Sequence, residues 1–167
     1  MKTVYIAGPL FTEAEMTQRK HEGALIRDAL EASGHEWEVF NPIESPVNFK
    51  EMEPTSALIF KTDYDFMYRT NHYFFDLSNH DTGTFVELGM ALEMFRKAKE
   101  AEEGYPIHIY PVFSDIRIPA AGQYDGIHVP TGNNQFVVGA LEYYGIEIFS
   151  TFSDALNQFK HDLHKAQ

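Results

Sequence analysis

The sequence predicts an α/β domain in three layers, a flavodoxin-like fold with a five-stranded parallel sheet in the order 2-1-3-4-5. Two observations lead to this prediction. Five short β-rich runs alternate with helical patterns along the chain, an alternation typical of parallel sheets. Parallel crossovers are right-handed and place helices on both faces of the sheet. The length suits one domain, so residues 1–167 are predicted to fold as a single unit.

The first strand is predicted over residues 3–7, a β-rich run that stops abruptly at Gly8 and Pro9. The next helix begins with the capping-box pattern T-x-x-E. It is expected to run over residues 12–33, with Gly34 as its stop. A short turn therefore joins the carboxyl end of the first strand to the first helix.

A long irregular segment and one helix separate the second and third strands. Residues 36–40 form the second predicted strand. Prolines break any helix over residues 43–53, and a loop of this length inside a compact domain is often a lid or a binding edge. A helix over residues 56–70 carries Asp63, and residues 73–77 form the third strand.

The C-terminal part of the chain supplies the two remaining strands. Residues 107–113 form the fourth predicted strand, and the Gly- and Pro-rich segment 114–132 is too irregular to assign. A short helix over residues 133–145 leads to a fifth strand at 146–149. A last helix is expected from Ser150, as its N-cap, to about residue 164.

Composition limits the possible partners. The formal net charge of −12 would repel a polyanion, so no nucleic acid partner is expected and a weakly charged small molecule fits better. The chain has no cysteine, which excludes disulfides and thiolate chemistry. No apolar run approaches the roughly 20 residues of a membrane span, so we expect a cytoplasmic protein without a membrane partner. Only His161 and His164 have ligand-like spacing, and neither a metal nor a cofactor is expected.

The most informative stretch is residues 81–89, which follow the third strand and open a helical pattern. In an open α/β sheet of this order, ligands bind in the crevice at the carboxyl ends of strands 1 and 3. Asp81, at the helix start, and Glu87, one turn inside, would both lie at this crevice. The helix dipole favours their ionised forms, and an ionised carboxylate in a cleft is what covalent attack on a sugar carbon requires.

The same two acids also have a purely structural interpretation. Thr84 and Glu87 match a capping box, and Asp81 could be a plain N-cap. Spacing alone favours this interpretation because such boxes are common at helix starts. The predicted topology, however, brings Tyr5 and the turn at Gly8 to the same crevice, and this convergence favours a functional role.

Two motifs together resemble those of the nucleoside 2-deoxyribosyltransferase family: Y-I-A-G-P at residues 5–9 and D-x-G-T-x-x-E-L-G at residues 81–89. The resemblance covers most of the chain, including the segment near Asp63 and residues 134–136. It implies an enzyme that exchanges the purine or pyrimidine base of a 2′-deoxyribonucleoside through a covalent deoxyribosyl intermediate, with retention. Its substrates would be 2′-deoxyribonucleosides and free nucleobases.

The resemblance assigns four catalytic residues. Glu87 is the nucleophile that attacks C1′, and Tyr5 holds its carboxylate by a hydrogen bond. Asp81 and Asp63 match the pair of acids that contact the base and help to protonate the leaving nitrogen.

Four further residues are assigned to substrate binding. Phe11 would line the base pocket, and Gly8 lies in the turn at the crevice. Asn134 matches an asparagine that reaches into the neighbouring subunit's site and binds the sugar, with Phe136 beside it. The choice between Asn133 and Asn134 stays open. A shared site requires a homo-oligomer, and we expect a dimer-built tetramer or hexamer.

Two rival functions remain open. A 2′-deoxynucleoside 5′-monophosphate N-glycosidase would use the same glutamate but pass the sugar to water. It would need a phosphate site, whereas residues 81–87 contain no basic side chain and residues 9–11 are apolar. A non-catalytic flavodoxin-like binding module is the second rival. It would leave the combination of Tyr5 with the three acids Asp63, Asp81 and Glu87 unexplained. The base preference and the role of the segment 114–132 are not determined by the sequence.

Overall fold

A computed structural model describes residues 1–101, 106–115, 123–124, 127–128 and 132–165. In these ranges, four parallel strands form the central sheet, in the order β2-β1-β3-β4. They are β1 (Lys2–Ala7), β2 (Trp37–Phe40), β3 (His72–Asp76) and β4 (His108–Val112). This arrangement confirms the predicted α/β class and the order of its first four strands.

Within the described residues, five helices cover the two faces of the sheet. They are α1 (Glu13–Ser33), α2 (Ser56–Met67), α3 (Thr82–Glu100), α4 (Gln135–Tyr144) and α5 (Phe152–Lys165). Helices α2, α3 and α4 pack on one face of the sheet, and α1 and α5 pack on the other. A separate apolar cluster lies between the sheet and the helices on each face. The three layers are therefore those that the sequence predicts. No helix in the described ranges is long and apolar enough to cross a membrane.

Strand β1 lies at the centre of the sheet and serves both cores. Tyr5 and Ala7 point into the cluster under α2 and α3, while Val4 and Ile6 point into the cluster under α1 and α5. This explains why the run is almost continuously apolar, because a parallel strand between two helical layers has no face in water. A polar group on such a strand must find its partner inside the protein.

The prediction of a fifth strand is wrong. Residues 146–149 make only one parallel bridge to the sheet, between Val112 and Phe149. The reason is the end of α4: Gly145 adopts a left-handed conformation, and the Ile146 amide donates to the Leu141 carbonyl at 2.9 Å. Ile146 is therefore still part of the helix cap, and only the end of the segment reaches β4.

Smaller differences concern the helix ends and the loops. Helix α2 ends at Met67, three residues before the predicted end at residue 70. The hydroxyl of Thr151, and not that of Ser150, accepts the Asp154 amide at the start of α5. The capping box at the start of α1 is present as predicted. The proline-rich loop forms three short 3₁₀ turns: Pro42–Glu44, Pro46–Asn48 and Lys50–Met52.

The segment 114–132 lies mostly outside the described residues. Within it, β5 (Gln123–Tyr124) and β6 (Ile127–His128) pair as a short antiparallel ribbon.

Candidate active site

A cavity of about 520 Å³ opens at the carboxyl ends of β1 and β3, between α2 and α3. This is the crevice at which the strand order reverses, the usual ligand site of an open α/β sheet. Its lining is mostly apolar and includes three carboxylates. The described lining consists of Ala7, Gly8, Leu10, Phe11, Pro42, Asn48, Ser56, Ile59, Phe60, Asp63, Tyr64, Met67, Asp81, Gly83, Thr84, Val86, Glu87 and Met90.

The Tyr5 hydroxyl donates a 2.6 Å hydrogen bond to Oε1 of Glu87. The ring of Tyr5 is fully buried, stacked on Phe40 at 5.5 Å and packed against Phe66 and Tyr73. Burial, with the nearby Glu87 charge, raises the pKa of Tyr5 well above its usual value, so the hydroxyl stays protonated and remains a donor. The second oxygen of Glu87, Oε2, accepts no hydrogen bond from the described residues and is free for a ligand.

The carboxyl group of Glu87 is held in an unfavourable environment for a charge. Its pKa is raised to about 7, mainly by the loss of solvation on burial, and the nearby carboxylates of Asp63 and Asp81 contribute to this rise. The hydrogen bond from Tyr5 acts in the opposite direction, because it stabilises the ionised form. A carboxylate whose pKa lies near neutrality in a cleft is a marker of a functional site.

The structure distinguishes between the structural and functional interpretations of the two acids. Asp81 is the N-cap of α3: its Oδ2 accepts hydrogen bonds from the amide and the hydroxyl of Thr84, both at 2.8 Å. The interpretation of Thr84 and Glu87 as a capping box is wrong, because α3 begins at Thr82 and Thr84 lies inside the helix. Glu87 caps nothing and reaches Tyr5 instead.

Asp63 faces the same cavity from α2. Burial raises its pKa to about 6. Its Oδ1 is buried and has no hydrogen-bond partner among the described residues. Since a buried polar atom without a partner is costly, this oxygen is available to a polar group of a ligand. Its helical neighbour Asp65 instead pairs with Lys61 on the exposed side of α2.

Gly8 lines the cavity and has a structural reason to be glycine. A Cβ atom at this position would lie 2.0 Å from Nη1 of the buried Arg19. Arg19 bonds Asp76, at the end of β3, at 2.6 Å and approaches the Ala7 carbonyl at 3.5 Å. One guanidinium therefore holds together the two strand ends that form the crevice. Sequence reasoning missed Arg19, which looks like an ordinary residue of an amphipathic helix.

The other predicted binding residues divide into two groups. Phe11 lies at the cavity mouth and is 77% exposed. Asn134 and Phe136 do not line the described cavity. Asn134 caps α4 by accepting the Phe136 amide at 2.9 Å. Asn133 is buried, and its Nδ2 has no partner in the part of the chain that the structure describes.

One face of α2 was also missed. Ile59, Phe60, Tyr64 and Met67 line the cavity beside Asp63. Their spacing around Asp63 places them on one helical face, a signal that was present in the sequence. Within the described residues, no group of three or more His, Asp or Glu side chains is arranged to hold a metal ion.

Fold and site together define an α/β protein with a carboxylate-lined small-molecule site at the switch point of its sheet. The chain belongs to the nucleoside 2-deoxyribosyltransferase family, whose family model, described as nucleoside 2-deoxyribosyltransferase, matches residues 4–105. This match includes β1, α2, β3 and α3, and with them all four proposed catalytic residues. The family indicates an enzyme of the deoxyribosyltransferase type.

Similarity to other proteins extends over the whole chain. It is 29% identical to the uncharacterized protein UU063 of Ureaplasma parvum serovar 3 over 166 residues, which are 97% of this chain and 96% of the relative. The structure of a conserved protein from Enterococcus faecalis V583 has a TM-score of 0.71 at 19% identity, covering 97% of this chain and 99% of that one.

Two structures with named activities share the fold. One is a 2-desoxiribosyltransferase from Leishmania mexicana, with a TM-score of 0.57 at 20% identity over 96% of this chain and 98% of that one. The other is the CMP N-glycosidase BcmB of Clostridium botulinum, with a TM-score of 0.52 at 18% identity over 98% of this chain and 99% of that one. At these identities the comparisons establish the fold.

The raised pKa of Glu87 predicts that this residue weakens the fold at alkaline pH. Its pKa is about 7 in the folded protein against 4.5 when exposed, so its contribution to stability is complete below about pH 4.5 and is lost as the pH rises through 7. Glu87→Gln removes this loss, so at pH 8 the variant should be more stable than wild type by up to about 3 kcal/mol. Urea unfolding of both proteins at pH 4.5 and pH 8 measures the difference.

Glu100→Gln is the matched control, because it removes an exposed carboxylate from the same helix. It should show no such pH-dependent gain. Equal stability of wild type and Glu87→Gln at pH 8 would show that the buried, ionised Glu87 does not destabilise the folded protein.

Proposed function

We propose that the protein is a nucleoside 2-deoxyribosyltransferase that exchanges the base of 2′-deoxyribonucleosides through a covalent intermediate on Glu87. The observation that carries this proposal is the 2.6 Å hydrogen bond from the buried Tyr5 hydroxyl to Glu87. It fixes one carboxylate oxygen and leaves the other free at the cavity. A nucleophile held in this way needs no reorientation before it attacks.

In the first half-reaction, Oε2 of Glu87 attacks C1′ of the sugar and the bond between C1′ and the base nitrogen breaks. The electron pair of that bond leaves with the base, which takes up a proton from Asp81 or Asp63. Positive charge develops on the sugar ring in the transition state, and the ionised carboxylates of the cavity lining stabilise it. A sugar without a 2′-hydroxyl forms this cation more easily.

In the second half-reaction, the nitrogen of a new base attacks C1′ from the face that the first base left. The bond to Glu87 breaks, its carboxylate is restored, and the acid that gave its proton takes one back from the incoming base. Two displacements at the same carbon retain the configuration. The apolar walls from α2 and α3 favour a flat base over water in the second step.

The charge of the lining supports nucleosides rather than nucleotides as substrates. Asp63, Asp81 and Glu87 line the cavity, and no Lys or Arg side chain is part of its described lining. A 5′-phosphate there would meet negative charge without a compensating cation. This observation disfavours a 5′-monophosphate N-glycosidase, the activity type in the name of one protein of the same fold.

A non-catalytic binding module is disfavoured for a different reason. Burial of Glu87 and Asp63 raises the pKa values of both groups, which costs stability at neutral pH. A passive pocket for an apolar ring gains nothing from two such acids. A glycosyl-transfer site requires a carboxylate nucleophile and an acid that can give up a proton, and pKa values of about 7 and about 6 keep both forms of Glu87 and Asp63 populated near neutral pH.

Incubation with deoxyinosine and adenine tests the proposed function. Wild type should form deoxyadenosine and hypoxanthine, and Glu87→Gln should lose this exchange by several orders of magnitude because no ester to the sugar can form. Glu100→Gln should behave as wild type. Intact-protein mass spectrometry of wild type with deoxyinosine should find one deoxyribosyl group per chain. Mass spectrometry of its peptides should find that group on the peptide that contains Glu87.

The same assay distinguishes the rival functions. Release of hypoxanthine without deoxyadenosine, or a preference for deoxynucleoside 5′-monophosphates, would indicate an N-glycosidase. No reaction with either substrate class would indicate a binding module. An adduct on another peptide would exclude Glu87 as the nucleophile.

The hydrogen bond between Tyr5 and Glu87 predicts a pH shift. Attack requires ionised Glu87, so the rate should rise as the pH increases through about 7. The Tyr5 hydroxyl lowers the pKa of Glu87, and its removal in Tyr5→Phe should move this rise to higher pH. Profiles of kcat/KM against pH measure the shift, with Tyr68→Phe, an exposed tyrosine, as control. If the pH profile of kcat/KM is the same for Tyr5→Phe as for wild type, the hydrogen bond does not influence the ionisation of the nucleophile.

We further propose that the active species is a homo-oligomer in which Asn134 completes a neighbour's site. On the face of α4, Phe136 and Tyr143 are 85% and 84% exposed, while Leu141 is buried in the protomer core. Two exposed aromatic rings on the helix that Asn134 caps are suited to an interface between copies. Light scattering should find at least a dimer. Phe136→Asp should lower both the molar mass of the particle in solution and the base-exchange activity. A fully active monomer would contradict this proposal.

A further inference from the structure

We infer that Thr84 is a positioning residue that determines which oxygen of Asp81 exchanges a proton with the base. The inference rests on the proposed function. It concerns an interaction inside the first turn of α3, at the wall of the cavity that both residues line. Thr84 is 2% exposed, and its hydroxyl is turned toward Asp81.

Both polar groups of Thr84 act on the same atom. Its amide and its hydroxyl each donate to Oδ2 of Asp81 at 2.8 Å. The amide bond alone would complete an ordinary N-cap. The hydroxyl therefore adds a second donor that capping does not require. Gly83 packs against the same oxygen, since a Cβ atom there would lie 3.2 Å from it.

This use of a threonine is unlike that of three other helical or helix-end threonines in the described chain. The hydroxyls of Thr17, Thr62 and Thr70 each donate to the backbone carbonyl four residues earlier, at 2.8, 2.9 and 2.9 Å. That is the common local bond of a threonine in a helix. Thr84 instead bonds a side chain that lines the cavity.

The double contact makes the two oxygens of Asp81 unequal. An oxygen that already accepts two hydrogen bonds is the poorer place for a proton, because its O–H would face two donor hydrogens. Oδ1 accepts no hydrogen bond from any residue in the described ranges. Protonated Asp81 therefore carries its proton on Oδ1 and gives it to the base from there. In this proposal Thr84 acts through Asp81, because its amide and its hydroxyl both donate to that carboxylate.

The test compares Thr84→Val, which keeps size and the capping amide but lacks the hydroxyl, with Thr84→Ser, which restores the hydroxyl. Thr84→Val should lower kcat for base exchange about 10- to 100-fold, a size typical of a misplaced catalytic group, with KM changed less than about threefold. Thr84→Ser should recover most of kcat. Thr70→Val, which removes another buried threonine hydroxyl away from the cavity, should leave kcat unchanged.

A double-mutant cycle with Asp81→Asn shows whether Thr84 acts through Asp81. In the Asp81→Asn background, Thr84→Val should change kcat by less than about twofold, because the group that it positions no longer carries a proton. Losses that multiply in the double variant, or a Thr84→Val protein with wild-type kcat, would overturn the inference. Neither result would affect the proposed function, which wild-type exchange and the Glu87→Gln variant test separately.

A second variant keeps the test decisive. If Thr84→Val does not fold, as judged by circular dichroism, Thr84→Ala takes its place in the same cycle.

Discussion

The hydrogen bond between Tyr5 and Glu87 is the contact on which the site depends. It joins the central strand of the sheet to the helix that carries the D-x-G-T-x-x-E motif. Tyr5 is fixed by aromatic packing with Phe40, Phe66 and Tyr73, so the position of the carboxylate follows from that of the core. A rigid donor in the middle of a sheet orients a group better than a donor on a loop, because its rotamer is locked by its neighbours.

The same contact limits the stability cost of the site. Glu87 loses solvation and lies near two other carboxylates, and both effects favour its neutral form. The Tyr5 hydroxyl partly offsets them by stabilising the charge. Asp63 has no comparable donor among the described residues, and burial alone raises its pKa. The cavity therefore holds two acids whose pKa values lie near neutrality, Glu87 at about 7 and Asp63 at about 6, so each can be ionised or carry a proton near neutral pH.

Buried polar contacts outside the cavity connect the two strand ends that form the crevice. Arg19 joins the ends of β1 and β3 through Ala7 and Asp76, and also bonds Glu22 on its own helix at 3.1 Å. The Asp76 side chain in turn accepts the Ser78 amide at the beginning of the loop that leads to α3. These bonds add to the backbone pairing of β1 with β3, in which Ala7 lies opposite Phe75. A glycine at position 8 is needed to admit the guanidinium.

The sequence by itself determined the α/β class, the order of four strands and the crevice, because hydrophobic period and turn residues act over a few neighbouring positions. It also indicated Glu87, Asp81 and Tyr5 as a group, since parallel topology brings strand ends together. It did not decide the fifth strand, because the cap of α4 withdrew residues from the sheet. Nor could it decide whether Glu87 takes part in capping the helix. That choice depends on a partner 82 residues away, and only the tertiary structure brings the two side chains together.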